Sequence, residues 1–129
     1  MLSSAECIDR LRGGRLGRIG MSHRALPTIV PVAYDIVGTS VMFPVLDGGM
    51  LVAAAGRGDI VCFQADSVDA TDRERWNVVV VGKLALSPKL VGIDMTSIRS
   101  DRASLPMTLV SGRAGRSENG DDPEDAEWP

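Results

Sequence analysis

The chain has 129 residues, 44% of them hydrophobic but only 4% aromatic, and a formal net charge of −3 at pH 7. This length and apolar content exclude a disordered chain and favour one domain with a core of aliphatic side chains. No apolar run reaches the roughly 20 residues of a membrane-spanning helix. The first residues lack an apolar segment of secretory type, so we expect a cytoplasmic protein with no membrane partner.

The charge is unevenly distributed along the chain. Six of the seventeen acidic residues and none of the fourteen basic residues lie in 117–129, so residues 1–116 carry a net charge of about +3. A like-charge segment that contains Gly and Pro and has no periodicity is typical of disorder. The sequence therefore predicts a folded domain over 1–116 and an acidic, disordered tail over 117–129.

The first predicted elements are a short helix and two strands. Serines just before Glu6 indicate a helix N-cap with an acid in the first turn, and the glycine pair at 13–14 ends this helix. A strand follows in RLGRIGMS, with an irregularity at Gly17. The next strand, 28–36, contains Pro31, and because proline has no N–H this strand requires a sheet edge or a bulge.

The rest of the domain alternates strands with short breaks. Val78 to Val81 form a continuous apolar run, which is typical of a strand buried on both faces. MLVAAAG predicts a helical turn closed by Gly56, and 90–105 is helix or loop. The other predicted strands cover 41–45, 60–65 and 107–115, with a loop at 67–75. Five or six antiparallel strands with one or two short helices predict a mostly β (α+β) barrel.

Residue types that commonly carry catalysis or bind metals are scarce. Cys7 and Cys62 belong to no CxxC or Cys/His cluster, and His23 is the only histidine, so we expect no metal site. There is no catalytic triad and no pair of carboxylates, and the catalytic residues stay unknown. The arginines are not interleaved with aromatic residues and the pI is about 5.1, which argues against a nucleic-acid partner.

The order of six short motifs resembles a known family. GRLGRIG, LPTIVPVAY, VMFPV, DIVCFQAD, WNVVVVGKL and LVSGRAG follow one another between Glu6 and Arg116. This order is similar to the flavin-binding split-barrel family related to pyridoxamine 5′-phosphate oxidase, and especially to its small actinobacterial members. The resemblance implies a six-stranded antiparallel split β-barrel and a homodimer. It also implies a flavoprotein oxidoreductase with FMN, or alternatively the deazaflavin F420, at the subunit interface, acting on an unknown small-molecule substrate.

One part of the family's pattern is missing. Members usually follow the phenylalanine of the third strand with Arg and then Thr or Ser, and they place a Lys after the next glycine, so that these side chains hold the flavin phosphate. Here Phe43 is followed by Pro44 and Val45, and Gly49 is followed by Met50. A second hypothesis is therefore a non-catalytic dimer of the same fold that has lost the phosphate clamp and acts as a binding or scaffold protein. A third is a carrier of F420 or haem.

The resemblance also implies where a cofactor would bind. The expected walls come from two strands, the turn before the second helix, and the partner subunit: Pro31, Val32, Phe43, Pro44, Val45, Gly48, Gly49, Met50, Trp76 and Asn77. For Trp76 the alternative is core or interface packing. Other basic groups that can meet a phosphate are Arg10, Arg12, Arg15, Arg18, Arg24 and Arg57, and the alternative for these is a solvated basic surface.

Overall fold

The structure, a computed structural model, describes residues 1–46, 49–68, 74–87 and 101–116. Two helices and nine strands follow one another along the chain: α1 (Ser4–Arg12), β1 (Leu16–His23), β2 (Leu26–Ala33), β3 (Asp35–Val37), β4 (Ser40–Val45), α2 (Met50–Arg57), β5 (Ile60–Val68), β6 (Glu74–Lys83), β7 (Ala85–Ser87), β8 (Asp101–Pro106) and β9 (Leu109–Arg116). Neither described helix has the length and apolar character that crossing a membrane requires. The predicted tail, 117–129, lies outside the described residues.

The strands form two antiparallel sheets. One has five strands in the order β2-β1-β5-β6-β9, and the other has four in the order β3-β4-β8-β7. The mostly β, antiparallel architecture with two helices is confirmed, and it is consistent with a split barrel that does not close. The strand count of six is not reproduced, since the described residues form nine strands.

The core lies between the sheets because side chains alternate between the two faces of each strand. A row across the five-stranded sheet pairs Val30 with Ile19, Ile19 with Phe63, Phe63 with Val80 and Val80 with Val110. The three central residues of this row are fully buried. Val78 and Val80 of β6 are fully buried, whereas Val79 is half-buried and Val81 is 36% exposed, so the single subunit does not bury the predicted run fully on both faces.

Gly17 leaves room for an aromatic ring and does not interrupt its strand. The register of β1 with β2 is continuous from Leu16 opposite Ala33 to His23 opposite Leu26, so the predicted irregularity is absent. A Cβ atom built on Gly17 would lie 2.4 Å from Cε2 of Phe63. The glycine is therefore required by close packing in the core.

Helix α1 begins with the predicted cap. The Ser3 side chain accepts a hydrogen bond from the Glu6 amide, and the Glu6 carboxylate accepts one from the Ser3 amide, which completes a capping box. Cys7 and Leu11 are buried on the inner side of the helix. The Leu2 amide donates to the carbonyl of Gly112 at 2.9 Å, so the start of the chain is fixed to β9.

Several predicted boundaries differ from the structure. The strand expected over 28–36 divides at Tyr34 into β2 and β3, which belong to different sheets. The edge position expected from Pro31 is confirmed, since β2 is the outer strand of its sheet. Helix α2 runs past Gly56 to Arg57 and is capped by Gly58, which has a left-handed φ of 70°.

The segment between the last two predicted strands is also different. Residues 101–105, part of the 90–105 segment predicted as helix or loop, belong to β8, because Ala103 and Leu105 alternate with polar residues and enter the core. Part of the loop expected over 67–75 belongs to the ends of β5 and β6. Residues 69–73 and 88–100 lie outside the described part of the chain.

Candidate functional site

A cleft of about 530 Å³ opens beside β4 and is called here the β4 cleft. It forms where β3 stops pairing with β4, at Asp35 opposite Met42, because Tyr34 turns the chain into the other sheet. The wall on the far side comes from β8, in which Arg102 lies opposite Pro44. The lining residues are Arg15, Ala33, Tyr34, Asp35, Met42, Phe43, Pro44 and Arg102.

Two guanidinium groups give the β4 cleft its charge. Arg15 and Arg102 are both exposed, and Asp35 is the one carboxylate in the described lining. Neither guanidinium group has an ion pair or hydrogen bond with the described part of the chain. The cleft therefore has excess positive charge and unused N–H donors, which suit a phosphate or another anion.

Tyr34 fixes the wall between the cleft and α1. Its hydroxyl donates a hydrogen bond of 2.7 Å to the carbonyl of Leu11 in α1, and its ring meets Phe63 edge-on with centroids 4.9 Å apart. The residue is only 5% exposed. Burial raises the pKa of Tyr34 to about 12, so the phenol is neutral and its proton is engaged at physiological pH.

A second cleft, of about 480 Å³, lies at the C-terminal end of α1 and is called here the α1 cleft. Trp76 lines it but is 8% exposed. Arg10 of this cleft forms an ion pair with Glu74 at 3.0 Å. The lining residues are Asp9, Arg10, Gly13, Gly14, Arg15, Leu16, Asp66, Ser67 and Trp76. Since Arg15 borders both clefts, its side chain can reach a ligand in either one.

A polar network crosses the outer face of the five-stranded sheet. Gln64 accepts a 2.7 Å hydrogen bond from Arg18 and donates to Asn77 at 2.7 Å. It also donates to Asp66 at 3.1 Å, and Asp66 lies 3.6 Å from the Arg18 guanidinium. The four side chains thus hold one another in place across three strands.

The same outer face has an apolar row beside this network. Ile29 lies opposite Gly20, Gly20 opposite Cys62, Cys62 opposite Val81, and Val81 opposite Leu109. Ile29 is 73% exposed and Leu109 is 65% exposed. Gly20 has no side chain to project from the row, and a Cβ atom built there would lie 2.7 Å from the sulfur of Cys62. We call these five residues the outer row.

The structure brings together part of the predicted cofactor site. Phe43 and Pro44 both line the β4 cleft, but Pro44 is exposed whereas Phe43 is only 1% exposed and belongs to the core. Val32 is 8% exposed and Val45 is 3% exposed, so both belong to the core. Pro31 is exposed on the outer face of β2.

The other predicted site residues are separated from this cleft. Gly49 is the N-cap of α2, and Met50 begins that helix and packs partly on the core. Trp76 lines the α1 cleft, whereas Asn77 belongs to the polar network. Gly48 lies outside the described residues.

The predicted basic groups also separate. Arg15 borders both clefts, and Arg10 and Arg18 pair with acidic residues. Arg57 pairs with Asp59 at 2.8 Å, and the hydrogen bond to that carboxylate raises the pKa of the guanidinium. The remaining two, Arg12 and Arg24, are exposed outside both clefts.

Sequence reasoning missed Arg102 and Tyr34. Arg102 lies in the segment predicted as helix or loop, although the alternation of Arg102, Ala103, Ser104 and Leu105 is the two-residue period of a half-buried strand. Tyr34 gave no local signal, since its role depends on a turn between sheets. Within the described ranges no three His, Cys, Asp or Glu side chains are grouped to hold a metal ion.

Comparison with known proteins gives one family and several related folds. The family model described as pyridoxamine 5′-phosphate oxidase matches residues 3–89. No curated protein matches the chain. A solved structure of an FAD binding protein from Mycobacterium smegmatis is 27% identical, covers 90% of this chain and 97% of that one, and has a TM-score of 0.73.

Two further solved structures share the fold. An FAD-binding protein from Mesorhizobium loti is 22% identical, with coverage of 91% of this chain and 96% of that one and a TM-score of 0.71. An FAD and haem binding protein from Mycobacterium smegmatis is 12% identical, with coverage of 97% and 77% and a TM-score of 0.78. The arrangement of two antiparallel sheets is therefore shared at low sequence identity.

Proposed function

The chain belongs to the pyridoxamine 5′-phosphate oxidase family, and from this premise we propose that it is a flavin-binding oxidoreductase whose cofactor site is completed by a second subunit. The observation that carries the proposal is the β4 cleft, in which two guanidinium groups without an ion pair to described residues lie beside Pro44. The name of the 27% identical FAD binding protein supports the same class of ligand.

The residues of the β4 cleft fit a phosphate-bearing flavin. FMN, FAD and F420 share a flat ring system and at least one phosphate group, and a phosphate needs charge-assisted hydrogen bonds to offset its desolvation. Arg15 and Arg102 can supply these bonds, while the exposed ring of Pro44 and the half-buried side chain of Met42 offer apolar surface to a flat ring. Bound flavin would supply hydride transfer, and the protein would supply binding, orientation and exclusion of water.

The outer row supports a homodimer. It is a continuous apolar strip on the sheet face opposite the core, and stable interfaces bury about 800 Å² on each partner. The polar network lies beside the strip, so a partner docked there would also cover Asn77. In such a dimer Asn77 would lie against the partner, where the resemblance implies a site shared between subunits.

The dimer has a matched test. Leu109 is 65% exposed within the outer row, and Leu26 is 67% exposed at the end of β2, outside it. We expect Leu109→Asp to convert the dimer into monomers and Leu26→Asp to leave the mass unchanged, as measured by light scattering after size exclusion. Equal masses for both variants would overturn the proposed interface.

The cofactor has a direct test. We expect the purified protein to be yellow or to bind one flavin per subunit when titrated with FMN, FAD and F420, followed by absorbance and fluorescence. The three titrations separate FMN, named first by the sequence, from F420, its alternative, and from FAD, named for the relatives. A colourless protein that binds none of them would refute the proposed function.

One observation favours a second candidate, a dimeric binding protein without a flavin. Val45 is buried in the core and Met50 is apolar, so neither replaces the phosphate contacts that other members place there. This candidate predicts an intact dimer that binds no flavin in the titrations.

A further inference from the structure

Arg102 on β8 is the cross-strand neighbour of Pro44 on β4. The two residues are directly opposite each other on neighbouring antiparallel strands, and both are exposed on the cleft. Side chains directly opposite in such a pair have Cβ atoms about 5 Å apart. A guanidinium on position 102 can therefore reach nearly the same volume as one on position 44.

We propose that Arg102 and Arg15 together bind the phosphate of the flavin, so that the anion site lies between β8 and the start of β1 rather than on β4 and α2. This inference rests on the proposed function and specifies which residues of the chain meet the cofactor's charged group. It assigns no role in phosphate binding to Val45 or Met50.

The charge and the free donors of the cleft carry the argument. Each guanidinium presents several N–H donors in a fixed plane that matches phosphate oxygens, and both are free of ion pairs with described residues. Asp35 opposes an anion, but two cations against one carboxylate leave the lining positive. Arg10, Arg18 and Arg57 do not offer this, because each is paired with an acid.

The position of Arg15 is set by the backbone. Its carbonyl accepts a 3.0 Å hydrogen bond from the Tyr34 amide, so the residue is held where the chain leaves α1 and enters β1. Arg102 is held by the continuous pairing of β8 with β4 from Ser40 to Val45. The two cations thus come from separate parts of the fold, Arg15 from the connection between α1 and β1 and Arg102 from β8, and both line one cleft.

The test compares FMN with riboflavin, which has the same ring system and no phosphate. Dissociation constants are measured by quenching of flavin fluorescence for the full chain and for Arg102→Gln, Arg15→Gln and Arg12→Gln. Arg12 is the control, because it is exposed on the last turn of α1 and lines neither cleft. Arg102→Lys is a second variant that keeps the charge and loses the planar donor pattern.

We expect the unchanged protein to bind FMN more tightly than riboflavin, and Arg102→Gln and Arg15→Gln each to weaken FMN about tenfold or more. The affinity for riboflavin should change little in these variants. Arg12→Gln should bind FMN as tightly as the unchanged protein, and Arg102→Lys should have an FMN affinity between those of the unchanged protein and Arg102→Gln. Added salt should weaken the binding of FMN and leave the binding of riboflavin unchanged.

The outcomes separate the two proposals. If the protein binds FMN and riboflavin equally, or if Arg102→Gln and Arg15→Gln retain full FMN affinity in a folded chain, the phosphate assignment is overturned while flavin binding stands. If the unchanged protein binds neither compound, nor FAD or F420, the proposed function is overturned and the assignment with it.

Discussion

Replacing Tyr34 by phenylalanine tests how the wall of the β4 cleft is held. The change removes a 2.7 Å hydrogen bond from the Tyr34 hydroxyl to the carbonyl of Leu11. That carbonyl also accepts from the Gly14 amide at 3.0 Å, so the acceptor keeps a partner. We therefore expect a loss of about 1 kcal/mol in the free energy of unfolding, rather than the larger cost of an orphaned buried group.

The same variant changes the response to alkaline pH. Tyrosine ionises near pH 10 when unfolded, and burial raises the pKa of Tyr34 to about 12 in the folded chain. Its contribution to stability is thus complete below pH 10 and is lost as pH rises towards 12, because the unfolded state releases the proton first. Two pKa units correspond to up to about 3 kcal/mol, and Tyr34→Phe should remove this part of the pH dependence.

The assay combines urea unfolding at several pH values with a spectrophotometric titration. Tyr34 is the chain's only tyrosine, so tyrosinate absorbance reports on it alone. We expect its titration midpoint near pH 12 in the folded protein and near pH 10 in urea. A midpoint near 10 in the folded protein, or parallel stability curves for the two proteins above pH 10, would refute the reasoning.

Three other predictions follow from burial and charge. Gly17→Ala should lower the free energy of unfolding by about 1–3 kcal/mol, because the new methyl group would clash with the ring of Phe63. Gly56→Ala, in open space on α2, should not destabilise the protein, and equal urea midpoints for the two variants would contradict this reasoning. In the Leu109→Asp variant, in which no partner should cover the outer row, Cys62 should react with a thiol reagent before Cys7, which is fully buried and whose pKa is raised by burial. Prior labelling of Cys7 would be the opposite result. Asp35→Asn should increase the affinity for FMN about twofold, because it removes a negative charge near the phosphate, and should leave the affinity for riboflavin unchanged. An equal gain in affinity for both compounds would contradict this electrostatic reason.

Local patterns in the sequence were enough for most of the fold. The Ser3–Glu6 capping box, the strands that begin at Leu16 and Ile60, and the edge strand with Pro31 all depend on interactions within a few residues, or on the absence of one N–H. The division of 28–36 between two sheets depends on a long-range contact, the Tyr34 hydroxyl on α1. No local period records such a contact.

The candidate site was less predictable for the same reason. Phe43 and Pro44 were found through a motif that is continuous along the chain, whereas Arg102 is brought beside them by strand pairing. Gly17 was misread because an isolated glycine in a strand can mark either a bulge or a close contact. Phe63, which decides between these two, lies on a different strand.

The termination of β3 explains why the cleft and the proline occur together. β3 pairs with β4 only as far as Met42, so the following residues of β4 have an open edge beside the cleft. An unpaired N–H on such an edge invites pairing with another strand, and Pro44 has none to offer. An arginine at position 44 would restore the family's cation but also place a donor on this edge. Here Pro44 stands on the open edge of β4 and has no N–H to donate, while Arg102 on β8 supplies the guanidinium group. The cleft therefore keeps its positive charge without an unpaired backbone donor at position 44.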